Sequence, residues 1–236
     1  MTITSTTNQH IKEIRKLGSA SARAKAARFV AEGEDLVMAA DAAGRAPLYV
    51  ACAPGLAAGR NSWLEASPEV LAKASRLRSG ARVIGVYEQR WGPVAGPLGV
   101  ALWGVHDPGN VGTIIRAAHA FGAASVALGP DCADPHSAKA VRASMGALFA
   151  ITLARFESLA ELPRPIVALV PGATERFLGP VREGTLLLGG ERAGVPAELL
   201  DATDEQRAIR QAQGDSLNAA MAATVALYEA TRMAAP

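Results

Sequence analysis

An apolar run at residues 98–105 stops at His106-Asp107-Pro108-Gly109-Asn110 and gives way to Val111-Gly112-Thr113-Ile114-Ile115-Arg116-Ala117-Ala118. The first part reads as a buried strand and the last as an apolar helix. The turn between them holds a proline, an asparagine and a glycine, with a second glycine just inside the helix. A strand that turns directly into a helix is the unit of a parallel α/β sheet. Ligands bind such sheets at these turns, where backbone approaches closely and the helix start offers free N–H groups.

The rest of the chain repeats the alternation. Strands are predicted at 28–31, 48–53, 82–87, 98–105, 125–128, 149–153, 165–170, 185–189 and, shorter, near 206–210. Helices are predicted at 8–27, 33–43, 62–75, 111–121, 137–146 and 216–232. Apolar strands alternating with helices imply a mainly parallel sheet covered on both faces. At 236 residues, half of them hydrophobic and only 5% aromatic, the chain has material for an α/β core rather than an all-β sandwich.

Residues 89–97, dense in Gly and Pro, read as a linker. Charge balance changes there. Residues 1–95 carry 13 basic against 8 acidic side chains, and residues 96–236 carry 11 against 14. This places one domain at 1–90 and a second at 97–236. Lys12, Arg15, Lys16, Arg23, Lys25 and Arg28 face a single acid, Glu13, in their stretch, which suggests a polyanionic partner such as nucleic acid. A solvated helix face is the plainer reading of such a cluster.

Other classes find little support. Cys52 and Cys132 are too few for a disulfide framework, and the four histidines lack metal-ligand spacing, so no metal is expected. The polar start lacks a signal-like apolar segment, and no run suits a bilayer, so a cytoplasmic protein is expected.

Two further segments carry chemistry. Leu186-Leu187-Leu188-Gly189-Gly190-Glu191-Arg192-Ala193-Gly194-Val195-Pro196 ends a buried strand in glycines and a carboxylate. Glycines there let a ligand lie against backbone. No GxGxxG and no Lys-Ser/Thr follow, so neither a dinucleotide fingerprint nor a P-loop fits. The plain alternative for Glu191 is an acid favoured at a helix start. Gln213-Gly214-Asp215-Ser216-Leu217-Asn218 opens the last helix, and Asp215 or Ser216 suits its cap. Asn218 is then an isolated amide in an apolar helix, best explained by a hydrogen-bonding duty. That helix is apolar on nearly every side, so it packs on its sheet and on something more, a second subunit or a monomer's core.

Together, Asp107-Pro108-x-Asn110-x-Gly112-x-x-x-Arg116, Gly189-x-Glu191-x-x-Gly194 and Ser216-Leu217-Asn218 resemble the SpoU (TrmH-like) branch of the SPOUT RNA methyltransferases. The resemblance covers about residues 98–232 and extends to 134–147. Residues 3–87 resemble, more weakly, the α/β RNA-binding extension of many such enzymes. The family usually has Ile-Pro-Met a few residues before Ser-Leu-Asn, where this chain has Ala208-Ile209-Arg210-Gln211-Ala212-Gln213, with neither Pro nor Met.

The resemblance implies a C-terminal trefoil-knot domain that binds S-adenosylmethionine, and a homodimer with the last helix at its interface. It implies methyl transfer to a ribose 2′-hydroxyl of RNA, with ribosomal RNA favoured over tRNA. Arg116, Asn110, Glu191, Ser216 and Asn218 are then the expected catalytic residues. Leu188, Gly189, Glu191, Gly194, Ile209, Ser216 and Leu217 are expected to hold the cofactor. Lys139, Arg142 and Ser144 join the six N-terminal basic residues as candidate RNA contacts. The rival readings are a non-catalytic RNA-binding protein with a degenerate cofactor pocket and, from another class, a Rossmann oxidoreductase. The latter is disfavoured by the missing glycine fingerprint.

Overall fold

The computed structural model describes residues 2–77, 80–177, 179–191, 193–213 and 217–232. In chain order the elements begin with α1 (Gln9–Lys16), α2 (Ala20–Ala26), β1 (Arg28–Glu32), α3 (Glu34–Ala42), β2 (Tyr49–Cys52), β3 (Trp63–Glu65), α4 (Pro68–Ala74) and β4 (Val83–Glu88). They continue with β5 (Leu98–Trp103), α5 (Pro108–Ala120), β6 (Ser125–Leu128), α6 (Ala138–Ala143), α7 (Ala147–Ala150) and β7 (Thr152–Arg155). The last are β8 (Ile166–Leu169), β9 (Glu175–Arg176), β10 (Gly184–Gly189), α8 (Ala197–Leu200), β11 (Glu205–Ala208) and α9 (Ala219–Thr231). Contacts divide the chain into two units: Met1–Gln89 with Asp134–Phe149, and Arg90–Ala133 with Ala150–Pro236. Residues 134–149, which the sequence groups with the second domain, therefore pack with the first unit.

The first unit is built on a sheet of order β1-β4-β2-β3, antiparallel except for the β2–β3 pair. Side chains alternate across it. Ala51, Ile84 and Val86 pack with Ile11 and Ile14 of α1 and Val70 and Leu71 of α4. Val50, Cys52 and Val83 pack with Val37 of α3. Phe29 and Tyr87, paired in register, meet Phe149 and His136 from the inserted segment at centroid distances of 4.8–5.8 Å. Such aromatic pairs add about 1 kcal/mol each beyond their buried area.

Two predicted helices are corrected here. Residues 62–75 are strand and then helix, because Trp63–Glu65 pairs in parallel with β2, and Ser67 caps a helix whose first residue is Pro68. Residues 8–27 are two helices. The carbonyls of Leu17 and Gly18 at the break accept from Arg23 at 3.1 Å, and the Ser19 hydroxyl caps α2.

The second unit holds a seven-stranded sheet of order β7-β6-β5-β10-β8-β11-β9, with every pair parallel. The central strands β5 and β10 are buried along their length up to the last residue, so they are covered on both faces. Ala101, Ala127, Phe156, Ile166, Ala168 and Leu187 form one buried layer. α5 and α9 pack on each other, and α9 lies along β10. The strand predicted at 149–153 begins later, at Thr152, because Phe149 belongs to α7. The short elements β9 and α8 have no counterpart among the predicted strands and helices.

Candidate active site

Asp107 starts α5. Its Oδ1 accepts from the backbone N–H of Gly109 at 2.6 Å and of Asn110 at 3.0 Å. Such a cap stabilises a helix by about 1 kcal/mol. Pro108 takes the first helical position, where a missing N–H costs nothing, so the helix begins there rather than at residue 111.

At the other end of the chain, Asn218 is the cap of α9. Its Oδ1 accepts from Ala220 N at 2.9 Å and Met221 N at 3.3 Å. The capping expected of Asp215 or Ser216 thus falls to Asn218. Asp215 and Ser216 themselves lie outside the described residues.

These two helix starts are joined by side chains. Asn218 Nδ2 donates to Asn110 Oδ1 at 3.1 Å, and Asn110 Nδ2 donates to Glu191 Oε1. The directions are forced by chemistry. A carboxylate only accepts, so Asn110 must turn its amino group to Glu191 and its oxygen to Asn218. The oxygen of Asn218 is already committed to its own helix. Three segments far apart in sequence are thereby fixed into one polar chain.

Two cavities flank that chain. A polar one of about 890 Å³ is walled by His106, Asp107, Asn110, Glu191 and Asn218, with Gly104 and Gly190. An apolar one of about 430 Å³ is walled by Leu169, Val170, Leu188, Ile209, Leu217 and Gly194, among others, with Gln211 beside them. Gly190, Glu191 and Ala193 line both, so the two cavities share a wall. Gly189 and Gly190 make the wall possible. A Cβ on Gly189 would lie 2.1 Å from the carbonyl carbon of Gly194, and one on Gly190 would lie 2.1 Å from the carbonyl oxygen of Gly104. Both neighbours are backbone and cannot swing away, so only glycine fits.

The other expected residues divide. Leu188, Gly189, Glu191, Gly194, Ile209 and Leu217 all line the apolar pocket. Arg116 does not reach either cavity. It stands on the exposed face of α5 and has no ion-pair partner among the described residues. Sequence reasoning missed His106 as a lining residue, although it adjoins the first motif, and missed Gln211, which lies where the family pattern departs. Among the described residues no cluster of three or more His, Cys, Asp or Glu side chains could hold a metal ion, and no helix is long and apolar enough to cross a membrane.

The candidate RNA contacts also divide. Lys12, Arg15, Lys16 and Lys25 are exposed. Arg28 pairs with Glu13 at 2.7 Å. Arg23 is a correction. It is 6% exposed, grips Asp134 Oδ2 through Nε at 2.8 Å and its terminal nitrogen at 2.7 Å, and donates to two backbone carbonyls. It holds residues 134–149 inside the first unit and has nothing left for RNA. Burial alone would raise the Asp134 pKa; the His136 ring and backbone N–H and the Arg23 guanidinium outweigh it and hold the carboxyl at about 2. Ser144 is likewise buried, its hydroxyl donating to the Val141 carbonyl at 2.7 Å. Lys139 and Arg142 are exposed on α6.

Residues 97–228 match the SpoU rRNA Methylase family. This chain belongs to that family. The SpoU protein is 29% identical to the 23S rRNA (guanosine(2553)-2′-O)-methyltransferase RlmP of Bacillus subtilis, over 96% of this chain and 97% of that one. It is 34% identical to the 23S rRNA (uridine(2479)-2′-O)-methyltransferase of Streptomyces viridochromogenes, over 78% of this chain and 67% of that one. Its fold superposes on an AdoMet-bound rRNA methyltransferase from Sinorhizobium meliloti with a TM-score of 0.86 and 33% identity, covering 98% and 97% of the two chains. The three segments that join at Asn110, Glu191 and Asn218 all lie within the matched residues.

Proposed function

We propose that this SpoU protein transfers the methyl group of S-adenosylmethionine to a ribose 2′-hydroxyl of ribosomal RNA. The shared wall between an apolar pocket and a polar cavity carries this reading. The pocket suits an adenosine moiety: aliphatic walls for the base and glycine backbone at Gly189 and Gly190 for close approach. Glu191, at the wall, offers a carboxylate to a sulfonium. The cofactor supplies a methyl group already activated for transfer.

The polar cavity then receives the target nucleotide. Asn110, held between Glu191 and Asn218, presents its ribose in fixed orientation, which is where much of such catalysis comes from. Ser216 joins them by family resemblance. Arg116 acts at the hydroxyl by orienting it and stabilising the developing alkoxide. In this protomer it lies outside the cavity, so the site is completed in a homodimer. Met221, Val225 and Tyr228 support the dimer: they repeat at helical spacing on α9 and are 62%, 40% and 55% exposed. The trefoil knot belongs to the same reading, and the passage of Gly190 against Gly104 fits a chain threaded closely through itself. Lys12, Arg15, Lys16 and Lys25 of the first unit bind the RNA backbone, and the protein works in the cytoplasm.

The relatives' activities favour ribosomal RNA over tRNA. A non-catalytic RNA clamp is disfavoured because Ile209 and Gln211 line a pocket that is formed despite the altered motif. The test is incubation with labelled S-adenosylmethionine and separate pools of unmodified rRNA and tRNA. Label in the rRNA pool is expected. Label in tRNA alone would overturn the substrate assignment, and label in neither would overturn the activity.

A further inference from the structure

Among the described residues lining the apolar pocket, Glu191 and Gln211 are the two with polar side chains, and they differ in what else they touch. Glu191 also lines the polar cavity and is bonded to Asn110. Gln211 lines the apolar pocket alone, is half-buried, and has no hydrogen-bond partner among the described residues. The amide, set among Leu169, Val170, Ile209 and Leu217, is committed to no protein partner and is open to a ligand in the pocket. Such a group favours a ligand that supplies the missing bonds.

We infer that Gln211 is the adenine-reading residue of the pocket. A glutamine amide carries a donor and an acceptor side by side, and adenine shows the same pair reversed, its 6-amino group beside a ring nitrogen. This sets the polarity of the bound cofactor. With the base held by Gln211, Glu191 would hold the sulfonium end, and the cofactor would supply its methyl group at the wall shared with the polar cavity. Gln211 therefore fixes which purine is accepted and leaves the transfer chemistry to the wall.

The inference rests on the cofactor reading above, and calorimetry separates the two. The probes are S-adenosylhomocysteine and its analogue with hydrogen in place of the 6-amino group. The wild type is expected to bind the amino form about tenfold more tightly, the worth of one well-placed hydrogen bond. In Gln211→Met, and in the smaller Gln211→Ala, the preference should fall below about threefold, chiefly through weaker binding of the amino form. A preference unchanged in both variants would overturn the role of Gln211 while leaving the cofactor pocket standing. A wild type that binds neither probe would overturn the pocket reading and this inference with it.

Discussion

Asn218 reaches Asn110 at 3.1 Å while its oxygen caps α9, so one side chain both starts the last helix and fixes the residue that faces the polar cavity. The two duties use different atoms. The oxygen accepts from the helix, and the amino group donates to Asn110.

Substitution can separate these duties. Asn218→Asp keeps the capping oxygen and loses the donor, so its melting temperature should stay within a few degrees of wild type while methylation falls at least tenfold. Asn218→Ala loses both and should also lose about 1 kcal/mol of stability. Thermal melts and initial rates on the same preparations check this.

Arg116→Ala is expected to abolish turnover. The side chain is exposed and unpaired among the described residues, so stability should move by no more than about 0.5 kcal/mol. Binding of S-adenosylhomocysteine should be unchanged by calorimetry. Appreciable residual turnover would remove Arg116 from the mechanism.

Asp134 predicts an acid-sensitive first unit. Its pKa is about 2 in the folded protein against an ordinary 3.8, so the stabilisation is complete above about pH 4 and is lost as pH falls through about 2. The amount is about 2 kcal/mol. Urea unfolding from pH 6 to pH 2 should show wild type losing that increment relative to Asp134→Asn. Arg23→Met should cost about 3 kcal/mol at neutral pH, because it strands a half-buried carboxylate and two carbonyls.

Replacing Lys12, Arg15, Lys16 and Lys25 with Gln should leave stability nearly untouched. RNA affinity should fall, and the slope of log affinity against log salt should flatten by up to about one unit per phosphate contact removed. A slope unchanged in the quadruple variant would move the RNA surface elsewhere.

Much of this site could be read in the chain before its geometry was known. The three motifs supply Asn110, Glu191 and Asn218, and an amide opening an apolar helix signals a polar duty. What stayed hidden depended on distant partners. Arg23 looks like its basic neighbours because Asp134, which buries it, lies 111 residues away. Residues 62–75 look helical because Leu64 and Leu71 share a helical spacing, and only pairing with β2 makes Trp63–Glu65 a strand. The α9 cap is not legible because Asp215, Ser216 and Asn218 are all good capping residues, and local propensity cannot rank them. The placement of Arg116 on an open face, clear of both cavities, has no sequence signal at all.

The most direct test of the central claim is to identify the methylated nucleoside. Unmodified ribosomal RNA would be incubated with the protein and S-adenosylmethionine, digested to nucleosides and read by mass spectrometry. The expected result is one 2′-O-methylnucleoside that is absent without the protein. A methyl group on a base atom, or ribosomal RNA left unmethylated, would contradict the claim.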